Sequence, residues 1–136
     1  MERVKERLRM ARRAPETLFA ALKEPKSEIA RDAAIHQCFE YSFGTVWKAA
    51  QAFLATVENL PAASPGSAIR ASFRTGLLSE DEARRMFGVA RDRNLTVHTH
   101  NEELAEEVFA RLPGHAALLA GWLARLEERV SQDAGG

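Results

Sequence analysis

Apolar positions recur at helical spacing along nearly the whole chain. Val4, Leu8, Ala11, Pro15, Leu18 and Leu22 are separated by four or three residues, which lays one apolar stripe along a helix facing a partner. Pro15 lacks a backbone donor and predicts a bend or interruption. Pro25 ends this helix, and Ser27 is placed to cap the next. A second helix is predicted from about residue 28 to 59. Its broad apolar surface includes Ile29, Phe39, Phe43, Val46, Trp47, Phe53 and Leu54. At 1.5 Å per residue it spans roughly 45 Å, long enough to be the spine of the fold. His36, Glu40, Gly44 and Lys48 form a second row at spacing four, so they stack on one face that borders the core or faces a cleft. Gly44 costs this helix roughly 1 kcal/mol against alanine, a loss that close approach of another helix or a ligand would offset.

After a loop rich in proline, alanine and serine, Ser64 and Pro65 read as N-cap and first residue of a short helix. That helix carries Ile69 and Phe73, and Gly76 is its stop. Ser79 and Glu82 make a capping box for a fourth helix that buries Ala83, Met86, Phe87 and Ala90. Thr99 and Glu102 make another, which places a break or kink between about Leu95 and Thr99. A last helix carries Leu104, Val108, Leu112, Leu119, Trp122, Leu126 and Val130, with Pro113-Gly114 predicted to kink or divide it. No strand pattern or repeat is present. The fold class expected is all-α: an antiparallel up-and-down four-helix bundle with a short additional connecting helix. Residues 1–130 would form one domain and 131–136 a disordered tail.

Composition changes this picture little. The chain has 136 residues, with nineteen basic side chains against nineteen acidic ones, so no overall field draws it to nucleic acid or membrane. The charge is uneven: six Arg or Lys fall in residues 1–13, and four Glu in 102–107. Such runs usually mark solvated helix faces. The lone cysteine, Cys38, cannot form an intrachain disulfide and sits among Ile35, Phe39 and Phe43, which suits a buried, inert thiol. With no apolar signal region and no apolar run near membrane-spanning length, cytoplasmic residence is the default expectation.

Candidate chemistry concentrates in Arg93-Asn94-Leu95-Thr96-Val97-His98-Thr99-His100. Arginine offers a planar cationic fork matched to phosphate. Histidine titrates near neutrality and can move a proton. Asparagine can hydrogen-bond a base, a ribose hydroxyl or the imidazole. A break near Thr96 would let Arg93 swing toward His98. The set could then bind a nucleotide phosphate, or cleave RNA with His98 as base and Arg93 stabilising developing charge. From composition alone the alternative is a helix-end cluster in which Arg93 pairs with a carboxylate and Asn94 and His98 satisfy backbone groups. No metal is expected, because His98 and His100 diverge at spacing two and have no further ligands at suitable spacing. Ser42 has no recognisable triad partner, and no Gly-rich phosphate loop is present. No cofactor is implied.

Several motifs, in order, carry a family resemblance: Arg31-Asp32-Ala33-Ala34-Ile35, Phe39-Glu40-Tyr41-Ser42-Phe43 with Trp47-Lys48, Ala71-Ser72-Phe73-Arg74-Thr75-Gly76-Leu77-Leu78, and Arg93 to Thr99. From about residue 2 to 130 the chain resembles the nucleotidyltransferase substrate-binding proteins of the wider HEPN group (higher eukaryotes and prokaryotes nucleotide-binding domain). The resemblance implies a self-associating helical bundle and a partner, a small separate nucleotidyltransferase, with this chain binding the substrate or nucleotide. Arg93, Asn94, His98, His100, Glu40 and Lys48 are the candidate binding residues. The alternative it implies is a metal-independent ribonuclease toxin of a toxin–antitoxin pair, with Arg93 and His98 catalytic. The family usually has tyrosine where this chain has His100, so silencing by modification of a phenolic oxygen would not operate there. Met86 replaces a tryptophan common in the family, a packing exchange. A homodimer is expected, because the aromatic face of the second helix looks too large for one bundle to cover.

Overall fold

A computed structural model of the chain describes residues 1–23, 27–98 and 101–135, with side chains for all of these except His98, Ala134 and Gly135. Among these residues, six α-helices run in the order α1 (Glu2–Ala21), α2 (Glu28–Ala33), α3 (Glu40–Thr56), α4 (Pro65–Arg74), α5 (Glu80–His98) and α6 (Glu102–Gly135). A π-helical turn, Ala34–Phe39, joins α2 to α3 without a break. No strand occurs among the described residues, and no helix among them is long and apolar enough to cross a membrane.

The helix starts follow the capping chemistry of the sequence. Ser27 Oγ accepts from the Ala30 N–H, and Ser64 Oγ accepts from the Ser67 N–H ahead of Pro65. Ser79 and Glu82 form a reciprocal box: the Ser79 N–H donates to Glu82 Oε1 at 2.9 Å, and the Glu82 N–H donates to Ser79 Oγ at 3.1 Å. Gly76 adopts φ +79°, a left-handed conformation that β-carbon sterics disfavour in other residues, and so turns the chain out of α4.

Packing centres on α3, which lies against α1, α4 and α6; α5 closes against α4 and α6. Phe39, Phe43, Phe53 and Trp122 are fully buried. Trp122 Nε1 donates to the buried Ser72 Oγ at 3.1 Å, so the largest core side chain also satisfies its polar atom. Arginines of α6 serve the C-terminal end of α4 and the turn after it. Arg129 donates to the Thr75 carbonyl at 2.8 Å and Arg125 to the Leu77 carbonyl at 2.9 Å, groups that a helix end leaves without partners.

Several sequence expectations are corrected. The predicted spine ends at Thr56 and contains the π turn, and Ile29 is 83% exposed rather than part of its apolar face. Pro15 and Pro113 both lie inside unbroken helices. Buried residues on either side, Ala11 and Leu18 in α1, Leu112 and Ala116 in α6, hold the helix across one missing hydrogen bond. The α6 helix runs on through Gly135, past Ser131 where a disordered tail was expected. At the start of α6, Asn101 Oδ1 accepts from the Leu104 N–H at 3.1 Å. Thr99 itself lies outside the described residues. Phe39 of the π turn and Phe43 and Phe53 of α3 are covered within one chain, at 1% exposure or less, while Tyr41 of α3 is 52% exposed. Gly44 does not mark a close approach, since a Cβ there would meet nothing within 4 Å.

Candidate functional site

Residues 91–96 sit on α5, whose two faces meet opposite environments. Asp92 and Thr96 are buried; Arg91 and Asn94 are exposed, with Arg93 half-buried between them. The helix continues through His98, so no break near Thr96 swings Arg93 aside. Thr96 Oγ1 instead turns back onto the Arg93 carbonyl at 2.8 Å.

Asp92 points into the protein. Arg111 Nε and Nη2 of α6 bind its two carboxylate oxygens at 2.7 and 2.9 Å, and His115 Nε2 lies 2.7 Å from Oδ2. Burial works against the charged carboxylate, but the hydrogen bonds from Arg111 and His115 outweigh it and hold the group below the usual aspartate range. The His115 ring stacks on Phe39 with centroids 5.6 Å apart and planes 24° apart. Phe39 is the last residue of the π turn. One buried polar knot thus ties α5, α6 and the π turn together. Sequence reasoning missed it. The signal was present: Ala83, Met86, Val89, Asp92 and Thr96 share one buried register of α5, and Asp92 is its only charge.

Arg93 faces the other way. With Asn94, Arg91, Phe87 and Phe43 it lines an open cleft of about 620 Å³ between α5, α3 and the start of α4. Its Nε is buried without a partner, and among the described residues its guanidinium makes one long contact, 3.4 Å from Nη1 to Asn94 Oδ1. The helix-end alternative, with Arg93 paired to a carboxylate, is not what the described residues show. Two arginines and no carboxylate line the cleft among them. The first turn of α4, Pro65-Gly66, forms a wall, and the positive end of its helix dipole adds to the same field. An arginine fork without a carboxylate partner among the described residues, in a site they give one charge sign, is suited to a phosphate or carboxylate.

The remaining predicted residues divide. Glu40 stands just after the π turn, with Oε2 2.9 Å from His36 Nδ1 and within 3.5 Å of Thr96 Oγ1, so it touches the same stretch of α5 from behind. Lys48 does not reach the Arg93 cleft; with Glu40 it lines a separate groove between α1 and α3, beside Arg7, Met10, Tyr41 and Gly44. The His98 side chain and all of His100 lie outside the described residues. Ser42 is buried, away from any proton acceptor among them. Phe87, expected in the core, is 38% exposed on the cleft, with the Arg70 guanidinium 5.4 Å from its ring centroid.

No curated protein is significantly similar to this chain. A crystal structure of a protein from Thermus thermophilus is: it shares 48% identity and superposes with a TM-score of 0.81, over 86% of this chain and 98% of that one. Residues 6–128 match the family described as nucleotidyltransferase substrate binding protein like, and the chain belongs to that family.

Proposed function

We propose that this chain is the helical substrate- or nucleotide-binding subunit of a two-protein nucleotidyltransferase, the transfer being carried out by a separate small partner enzyme. The family description supports the binding role. The single observation that carries it to a site is Arg93: a half-buried cation without a carboxylate partner among the described residues, opening on a cleft that other arginine and amide groups share. In this reading Arg93 anchors an anionic group and Asn94 hydrogen-bonds the ligand. His98 and His100 supply further polar contacts at the exit of α5, with Glu40 supporting from the π turn and Lys48 contributing at a second groove. The bundle is of the up-and-down four-helix kind, α4 serving as its connecting helix, in one domain over residues 1–130. It works as a homodimer in the cytoplasm.

The test is co-purification of the tagged full chain from cells that also express a small nucleotidyltransferase encoded beside it, followed by nucleotide-binding calorimetry. Retention of the enzyme with saturable nucleotide binding that falls in Arg93→Ala supports the proposal; neither retention nor binding overturns it. An RNA cleavage assay with chelator present addresses the ribonuclease alternative. Cleavage by the wild type that is lost in His98→Ala would replace the binding role with catalysis.

A further inference from the structure

The cleft has an aromatic wall that the anion-binding reading does not use. Phe87 is a large apolar side chain held 38% exposed, although the same helix buries Met86 and Val89 completely. It is not loose. Arg70 of α4 stands over its ring at 5.4 Å from the centroid, a cation–π contact that favours packing of the ring against α4. Arg70 is absent from the cleft lining, whereas Phe87 is part of it. The neighbouring wall residue is Gly66, where an added Cβ would sit in ordinary contact with both partners of this pair, 3.5 Å from Arg70 Nη1 and 3.6 Å from Phe87 Cε1. The cleft thus presents a part-exposed aromatic side chain beside a glycine wall.

Phe87, Arg91 and Asn94 follow one another at spacings of four and three, along one face of α5. Arg93 lies about 9 Å along the axis from Phe87 at 1.5 Å per residue. An apolar ring surface stands at one end, and at the other two arginines without a carboxylate among the described lining residues. That arrangement suits a ligand with the same two ends. A polycationic substrate does not fit, because the described lining offers positive charge and no carboxylate.

Resting on the proposed binding role of this cleft, we infer that Phe87 forms a stacking subsite for a planar aromatic ring, and that the ligand is a ring-bearing phosphate ester, a mononucleotide in its simplest form. The ring lies on Phe87 and the phosphate on Arg93 and Arg91. Base–aromatic stacking tolerates different bases because each has a π face, so this subsite reads the presence of a ring more than its identity.

The experiment is calorimetric titration of the full chain with AMP and with ribose 5-phosphate, which carries the phosphate without the ring. AMP is expected to bind about tenfold or more tightly, the scale of one base on an aromatic side chain. Phe87→Leu should erase that ratio while leaving ribose 5-phosphate binding unchanged, and Phe87→Tyr should restore it. Circular dichroism and the retained sugar-phosphate binding show that the leucine variant is folded. Equal affinity for both ligands in the wild type, or an AMP preference that survives Phe87→Leu, overturns the ring subsite. The underlying anion reading fails separately, if Arg93→Ala binds ribose 5-phosphate as well as the wild type does. Absence of saturable binding by either ligand overturns both.

Discussion

Asp92 and Arg93 are adjacent in sequence, oppositely charged and on one helix, yet the fold treats them differently. Asp92 is 1% exposed and has three donors within 2.9 Å. Among the described residues the half-buried Arg93 has one long contact to an amide, with its Nε left unbonded. A buried charge that is fully bonded internally has no capacity left for a guest; its work is to hold helices in register. A cation with only one long amide contact among the described residues keeps that capacity. The difference separates architecture from function within a single turn of α5. It also couples them, because the knot around Asp92 fixes the rotation of α5 that turns Arg93 and Asn94 to the cleft.

The largest effect expected from breaking this contrast is at Asp92. Asp92→Ala leaves His115 and Arg111 without their shared acceptor. Removing one member of a fully buried ion pair typically costs 3–5 kcal/mol. The Arg111 side chain is 43% exposed, so water takes over part of its solvation and about 2–3 kcal/mol is expected here. Urea unfolding checks this, with the midpoint shifting and the slope unchanged. A loss below about 0.5 kcal/mol, the size of an ordinary surface substitution, would mean that the knot holds nothing together.

A second bonded carboxylate sharpens the comparison through pH. Arg125 hydrogen-bonds Glu82 and the Ser79 backbone N–H joins it; together they lower the Glu82 carboxyl from 4.5 to about 2. A carboxylate held low in the folded state adds stability that is fully present above its unfolded value and is lost as pH falls toward the folded one. The chain should therefore lose stability between about pH 4.5 and 2, with Asp92, shifted in the same direction, adding to the loss. Arg125 is 41% exposed, so solvent screening reduces the Glu82 share to about 1–2 kcal/mol. Glu82→Gln keeps the side-chain shape and removes the charge. It should lower stability by that amount at neutral pH and flatten the acid limb of a thermal-denaturation profile. An acid limb unchanged in Glu82→Gln would assign the loss to other carboxylates.

These polar clusters also show what the sequence made legible. Local rules carried far: Ser27, Ser64 and the Ser79–Glu82 box cap helices as their spacing predicted, because capping depends on atoms within one turn. The apolar stripe of α1 is buried at Val4, Leu8, Ala11 and Leu18. Failures came where tertiary contacts decide. Phe87 has a core residue's character, but its position on α5 turns it to the cleft, where Arg70 stacks on it. Proline should interrupt a helix, yet Pro15 and Pro113 sit within helices whose packed faces outweigh the missing bond. The site was half legible. Arg93 and Asn94 were singled out and share a cleft, while Lys48, read from one helix row, belongs to another groove. The Asp92–Arg111–His115 knot joins residues 19 to 23 positions apart, a separation at which spacing patterns say nothing about contact.

The smallest expected change in stability is at Arg93, and it is the most informative. Arg93→Ala removes a side chain that no carboxylate holds among the described residues, so unfolding free energy should move by no more than about 0.5 kcal/mol. Binding of a phosphate ligand such as ribose 5-phosphate should fall at least about tenfold, since charge-assisted hydrogen bonds to a fork are the strong kind. Arg93→Lys restores the charge without the planar fork and should recover only part of the affinity. Asp92 and Arg93 would then form a double dissociation, one variant losing stability and the other losing ligand. If Arg93→Ala instead destabilised the chain by about 2 kcal/mol or more, the size of a core lesion, with its affinity intact, the two neighbours would share one structural task. The cleft would then be a gap between helices, with no ligand implied.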